Sequence, residues 1–303
     1  MVRNGPVSVK IPLPSSVHAS YNPFMLGAIR DPIAAGTFYP ADPSTLRGQL
    51  DQFFGKRPAA VSSVPVGPCG LIAPHAGIMY SGQVAAQGYA DVAQRCQPDL
   101  VLILGAGHTG LAPELALAPH THWRTPLGES PVDQRSIVEL TALGLEVSDL
   151  PFRREHSLEL QLPFIQYVFG HDVPIVPLCV HWQHAAPLRA AGNTLAEWIA
   201  DRSVLIVASS DFTHYESADR AAARDRAALD AIASLDAEAF LASVLANGWT
   251  ICGAGAIAIL MTIASRRGLN HVHRVAYATS GDITQDHSSV VGYAAITFLE
   301  DAQ

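Results

Sequence analysis

Four stretches of this chain carry a reactive side chain at or just beyond an apolar run. They are Gly70-Leu-Ile-Ala-Pro-His75-Ala-Gly77, Val101-Leu-Ile-Leu-Gly-Ala-Gly-His108, Val204-Leu-Ile-Val-Ala-Ser-Ser-Asp211-Phe-Thr-His214 and Thr250-Ile-Cys252-Gly253. Imidazole, carboxylate and thiol are the side chains that bind transition metals and move protons. His75 stands between Pro74, which fixes the backbone before it, and Gly77, which permits a tight turn after it. That setting favours an imidazole held rigidly at a strand end over a turn histidine satisfied by backbone. His108 ends a Gly-Ala-Gly run. The run lacks the spacing of a dinucleotide fingerprint, so the readings left open are a metal ligand and a loop histidine held by backbone. Asp211 and His214 share one loop, where a carboxylate orients an imidazole, tunes its basicity or binds metal itself. Cys252 sits where a helix begins, a place that favours the thiolate, although a lone cysteine is also a common small core residue.

These residues need elements that bring them together. Leu71–Ala73, Asp99–Leu104 and Val204–Ala208 read as core strands, with further strands near 145–149, 174–180, 272–279 and 290–299. Helices are expected after the Asp42-Pro43 cap, from Ser81 to about Arg95, and over about 133–143, 156–169, 186–200, 217–234 and 236–246, with Pro163 limiting the one at 156–169. The apolar stretch Ile251–Ala264 reads as a buried helix, too short to span a bilayer. Strands alternating with helices predict a single-domain α/β sandwich with a central mixed, mainly parallel sheet. In such sheets ligands bind beyond the carboxyl ends of the strands, so strands that stop at a histidine would share one crevice. The Gly105–Pro131 region, with three histidines and a tryptophan, is expected to be a long functional loop or hairpin.

Bulk properties narrow the function. The chain has 303 residues, is 49% hydrophobic and carries a formal charge of −8, with no basic run, which disfavours nucleic acid and anionic membrane as partners. Four scattered cysteines without a CxxC spacing predict reduced thiols in a cytoplasmic protein. Residues 1–29 are proline-broken, lack the apolar core of a secretory leader and read as an N-terminal extension to a domain over 30–303. His156, in Glu155-His-Ser-Leu-Glu159, either caps a helix or faces the crevice. His120, His122, His181 and His184 are expected to be solvated, and Asp282, Asp286 and His287 to form a polar hairpin tip.

In combination, Ala35-Gly-Thr-Phe-Tyr-Pro40, Ala73-Pro-His-Ala-Gly-Ile-Met-Tyr-Ser-Gly82, Thr125-Pro-Leu-Gly128 with Pro131-Val-Asp133, Glu155-His-Ser-Leu-Glu159 with Gln161-Leu-Pro-Phe164, Ser209-Ser-Asp-Phe-Thr-His-Tyr215 and Ile251-Cys-Gly253 resemble the MEMO-like family, whose prokaryotic branch is called AmmeMemoRadiSam system protein B. The resemblance runs from about residue 30 to residue 299. It implies a fold like that of the catalytic subunit of class III extradiol dioxygenases, which are non-haem iron enzymes. It also implies a site in which His75, His108 and Cys252 hold iron or copper, with Asp211 and His214 beside it as general acid/base or supporting groups. A radical-SAM protein and an AMME-syndrome-candidate-type protein are the partners it implies. The eukaryotic branch is linked to binding of a phosphorylated receptor tail. One departure is Gly105-Ala-Gly-His108 in place of Gly-Pro-Asn/Ser-His, which predicts a looser turn. Another is Cys252 where the dioxygenases have a carboxylate, so their activity does not carry over. The readings are therefore a metal-dependent redox protein, a non-catalytic peptide or phosphopeptide module on an enzyme fold, and, last, a hydrolase with Cys252 as nucleophile and His75 or His214 as base.

Overall fold

The computed structural model describes residues 28–55, 67–110, 113–182 and 184–300; the expected extension falls almost wholly outside them. In chain order the elements are β1 (Ile29–Arg30), α1 (Pro43–Phe54), β2 (Cys69–Ala73), α2 (Ile78–Ala93), β3 (Leu100–Ala106), β4 (Leu115–Leu117), β5 (His122–Thr125), β6 (Gly128–Pro131), α3 (Gln134–Ala142), β7 (Glu146–Val147), α4 (Leu162–Phe169), β8 (Ile175–Val180), α5 (Ala185–Trp198), β9 (Val204–Ser209), β10 (His214–Glu216), α6 (Ala218–Ala233), α7 (Ala237–Asn247), α8 (Ala254–Arg267), β11 (His271–Thr279), α9 (Gly281–Thr284) and β12 (Val290–Leu299). Local chemistry accounts for several boundaries. Asp42 accepts from Thr45 N at 2.8 Å and Pro43 opens α1. Pro163 lies in the first turn of α4, where its missing N–H costs nothing, so the helix starts there and a single 3₁₀ turn, Glu159–Gln161, precedes it.

The main sheet has the order β10-β12-β2-β9-β3-β8-β4-β7, with β11 on β12. Its centre, β2, β9, β3 and β8, is parallel, while β12 runs antiparallel to β2 and β4 antiparallel to β8. The central strands are buried along their whole length, as parallel strands covered on both faces must be. The covering helices can be read from β2. A Cβ on Gly70 would stand 2.7 Å from Leu260 of α8, whereas a Cβ on Gly88 of α2 would stand 2.9 Å from Leu71. Adjacent residues of a strand point to opposite faces, so α8 and α2 lie on opposite sides of the sheet. This is the expected α/β sandwich. The Gly105–Pro131 region holds β4 and a β5–β6 hairpin, which pairs with β1 in a second, three-stranded sheet.

Two expectations fail here. Cys69, the first residue of β2, is disulfide-bonded to Cys96, just past α2, with Cα atoms 6.5 Å apart; Cys179 and Cys252 are free. The α2 helix runs back antiparallel to β2, so the strand's start and the helix's end meet, which the spacing in the sequence does not reveal. His120 is buried and pairs with Asp149 at 3.3 Å, rather than being solvated.

A buried ion pair between Arg30 and Glu159 helps fasten the N-terminal segment to the body. Glu159 accepts from Arg30 Nη1 at 2.6 Å, Tyr39 OH at 2.6 Å, Ala34 N at 2.9 Å and Ile33 N at 3.0 Å. Arg30 also donates to Phe152 O and Glu155 O, and its guanidinium lies 4.1 Å from the Trp123 ring centroid. Both side chains are buried and their polar atoms well partnered, the circumstance in which deleting one partner is far costlier than replacing both. Glu159→Ala is expected to lower stability by about 3–5 kcal/mol and the melting temperature on the order of 10 °C. A thermal melt of Arg30→Met/Glu159→Leu is expected to show a loss well below the sum of the two single changes. Additive losses would mean that the pair does not act as a unit.

Candidate functional site

The sheet topology decides which side chains meet. Ala73 of β2 pairs with Ser209 of β9, and Leu104 of β3 with Ala208, so the three chains leave the sheet side by side. His75, Asp211 and His108 emerge there. Because β12 is antiparallel to β2, its first residues lie at this same edge, and β10 pairs with them, His214 opposite Val291. The entry to α8 arrives from above β9. A Cβ on Gly253 would collide with the Ser209 carbonyl and stand 2.5 Å from Ser210 Cβ, so glycine is needed for Cys252 to come this close. Gly253 N donates to Ser210 Oγ at 3.0 Å.

The protonation of His75 follows from its neighbours. Ser209 Oγ donates its one proton to Ser157 O, at 2.8 Å, and accepts from the Gln161 amide at 2.7 Å. The Gln161 amide is oriented in turn, since its nitrogen also donates to Pro74 O and its oxygen accepts from Tyr89 OH. Only acceptor capacity is left on Ser209 Oγ for His75 Nδ1, 2.9 Å away, so Nδ1 carries the hydrogen. Nε2 is then the free lone pair, and it lies 3.2 Å from Cys252 Sγ. Burial, with His108, His156 and His214 nearby, holds His75 well below the ordinary histidine range, so the ring is neutral.

Asp211 Oδ1 accepts from His75 N at 2.9 Å and Ala76 N at 3.3 Å, holding the turn shut. This clamp, not a special backbone angle at Gly77 (φ −49°), shapes the turn. Burial raises the Asp211 carboxyl to about 6, against the pull of those N–H groups. The Asp211 N–H points at Cys252 Sγ, 3.2 Å away. Cys252 lies before α8 rather than in its first turn. Burial and the Asp211 carboxylate push its thiol up, against the expectation that the helix start favours the thiolate. That removes the main support for Cys252 as a hydrolytic nucleophile.

His108 is held differently. The fully buried Glu155 accepts from His108 N at 2.7 Å, from His108 Nδ1 at 2.9 Å and from Ser157 N at 2.9 Å. Burial opposes charge on both groups, but their mutual attraction outweighs it, raising His108 and lowering Glu155. A histidine whose folded-state value is raised contributes stability at low pH and loses it as pH climbs through that value. The turn is not loose. A Cβ on Gly105 would collide with Leu158, and one on Gly107 would stand 2.8 Å from His181 Cβ, so both glycines are packed tightly. His181, expected to be solvated, backs this turn and bonds to Gly107 O.

Two residues were not selected from the sequence as site residues. Glu155 orients His108. His156 follows it into the crevice, its ring centroid 4.9 Å from that of His108, 5.5 Å from that of His75 and 4.4 Å from that of Phe38. The signal was the Glu155-His156 pair beside an apolar run, which leaves open whether the imidazole faces in or out. Among the described residues, two groups bring their potential ligand atoms within 4.8 Å of one another. One is His75, His108 and His156; the other is His75, Asp211 and Cys252. His108 and Cys252 fall in different groups joined by His75. His214 belongs to neither; its Nδ1 is 2.8 Å from Thr250 O and its backbone N–H is bonded to the Thr250 hydroxyl. The donors fit a metal: two imidazoles have Nδ1 committed to an oxygen and Nε2 left over, the arrangement that sets a ligand histidine's tautomer.

A family model described as "Memo-like protein" matches residues 30–297. The chain is 38% identical over 278 residues to a MEMO1 family protein of Methanopyrus kandleri, covering 89% of this chain and 98% of that protein. It is 39% identical over 280 residues to one from Desulfurococcus amylolyticus, with coverage of 89% and 98%, and 35% identical over 275 residues to one from Nitrosopumilus maritimus, with coverage of 89% and 100%.

Long-range 1H–15N NMR of the metal-free protein at mildly alkaline pH is expected to show both His75 and His108 as the Nδ1–H tautomer. Ser209→Ala is expected to mix the tautomers of His75 alone, and Glu155→Gln those of His108 alone. An Nε2–H pattern at His75 in the wild type would refute the assignment.

Proposed function

This chain belongs to the Memo-like protein family, and we propose that it is a redox-type metal protein holding iron or copper at the carboxyl ends of β2, β9 and β3. His75 is the central ligand, with His108 and Cys252 on either side of it. The observation that carries this reading is the His75 Nε2 lone pair, fixed by Ser209 and facing a thiol at 3.2 Å beside a second oriented imidazole. Nitrogen and sulfur donors together suit copper and iron better than magnesium or calcium, which take oxygen. When bound, such an ion supplies one-electron chemistry.

The chain's own groups do the rest. Ser209 and Glu155 hold the two imidazoles in the tautomer that offers Nε2. Asp211 fixes the turn around His75, and its raised carboxyl, with His214 nearby, is suited to moving a proton near neutral pH. The half-exposed His108 keeps one side of the crevice open to solvent, as a site that admits a small molecule requires. The Cys69–Cys96 disulfide withdraws the reduced-thiol argument for a cytoplasmic setting, so that setting, like a radical-SAM protein and an AMME-syndrome-candidate-type protein as partners, is kept by resemblance alone. Among the described residues no helix is long and apolar enough to cross a membrane.

Protein made without a His tag and reconstituted anaerobically with iron(II) or copper(I) is expected to retain about one metal per chain by elemental analysis, and His75→Ala to lose it. Retention below about a tenth of a metal per chain with both ions would overturn the proposal.

A further inference from the structure

The strand β11 opens with His271-Val-His273. Among the described strands β11 pairs with β12 alone, so it is an edge. Histidines two apart on a strand point to the same face, and the register says which face that is. His273 lies opposite Thr297, and Thr297 opposite Leu71; His271 lies opposite Leu299. Leu71 faces α2, where a Cβ on Gly88 would meet it, so both imidazoles stand on the α2 side of the sheet. His271 pairs with the last residue of β12, whereas the first residues of β12 border the crevice. The two histidines are therefore at the opposite edge of the sheet from the crevice, and nothing about them depends on the metal reading given above.

The α2 helix supplies a carboxylate. Asp91, in its last turn, accepts from Thr297 Oγ1 at 2.8 Å through Oδ2, and the same oxygen lies 3.5 Å from His273 Nδ1. That Nδ1 is shut off from solvent. A carboxylate favours a hydrogen on the ring nitrogen that faces it, so Nε2 is left as the free lone pair, on a side chain 44% exposed. His271 is exposed, and its ring centroid is 6.4 Å from that of His273. Two imidazoles on one tetrahedral zinc, with Zn–N of about 2.0–2.1 Å, have centroids about 5 Å apart. The exposed His271 side chain has room in solvent to close that gap. The negative end of α2 and the Asp91 charge both favour a cation here. Arg95 opposes one, but it lies at the other carboxylate oxygen, 3.6 Å from Oδ1, on a side chain half in solvent. Arg274 alternates to the other face, where it pairs with Asp230.

From this arrangement we infer that His271 and His273 form a second metal site, a two-imidazole chelate for a borderline divalent cation such as zinc(II) on the exposed edge of the sheet. Both Nε2 atoms ligate, Asp91 holds the His273 ring from behind, and water fills the remaining positions. An ion held this way faces solvent and exchanges with it, unlike one enclosed in the crevice.

The test uses the untagged full chain and 1H–15N NMR of its imidazoles, with free zinc(II) set by a competing chelator. Occupancy is read at these two rings, so an ion elsewhere on the protein does not count. The His271 and His273 signals are expected to titrate together, with Nε2 shifting and His273 Nδ1 keeping its hydrogen. His271→Gln and His273→Gln are each expected to weaken zinc(II) at the remaining ring at least about tenfold, the scale on which even an outer partner of a ligand acts. Asp91→Asn is expected to weaken it about tenfold and to mix the tautomers of His273. His75→Ala is expected to leave it within about twofold, as a distant independent site requires; His75→Gln takes its place if the alanine variant fails to fold by circular dichroism. No shift at either ring, saturation of the two rings at different zinc(II) concentrations, a loss under about twofold in either glutamine variant, or an Nε2–H tautomer at His273 in the wild type would overturn the site. Each of these results leaves the crevice reading untouched.

Discussion

A hydroxyl group has one proton to give, and at the end of β9 that restriction organises the crevice. Ser209 gives its proton to the Ser157 carbonyl, takes one from Gln161, and has only acceptor capacity left for His75. Through this single atom the strand β9, the turn after β2 and the segment before α4 are tied to one another. The direction of each bond is forced by the last, back to Tyr89 on α2. Each member is buried, where an unmade hydrogen bond costs more than a made one contributes, so the chain of donors is strongly defended.

The segment from Glu155 to Gln161 is the second organising feature. Its two buried glutamates have separate tasks. Glu155 points into the crevice and holds His108 by backbone and ring; Glu159 points away and gathers Arg30, Tyr39 and two backbone N–H groups of the N-terminal segment. Arg30 closes the circuit by donating to the Glu155 carbonyl. The anchoring of the N-terminal residues and the orientation of a crevice imidazole therefore share one stretch of backbone. The space for that stretch is made by Gly105, where any side chain would strike Leu158.

Electrostatics at the site are governed by burial more than by the helix terminus. A thiol ahead of α8 is placed where a helix would favour its ionised form, but desolvation and the Asp211 carboxylate act the other way and prevail. The same desolvation keeps His75 neutral and lifts Asp211 to about 6, while the more open His108, paired with Glu155, moves in the opposite direction. Four titratable groups within one crevice thus differ in protonation because they differ in solvation and in partner.

The sequence by itself determined the layered α/β plan and the strand ends that carry His75, His108 and Asp211, because apolar runs of strand length followed by Pro, Gly or a polar cluster state both where an element stops and which residue comes next. It located the family through linked motifs, each of which is local. Only the tertiary structure decided that β2, β9 and β3 are neighbours, that Cys69 meets Cys96, that Glu155 rather than a turn proline steadies His108, and that His156 faces inward. Each of these is a contact between residues far apart along the chain or a choice of side for one side chain. Spacing carries no information about either until the sheet order and the packing of the helices on it are settled.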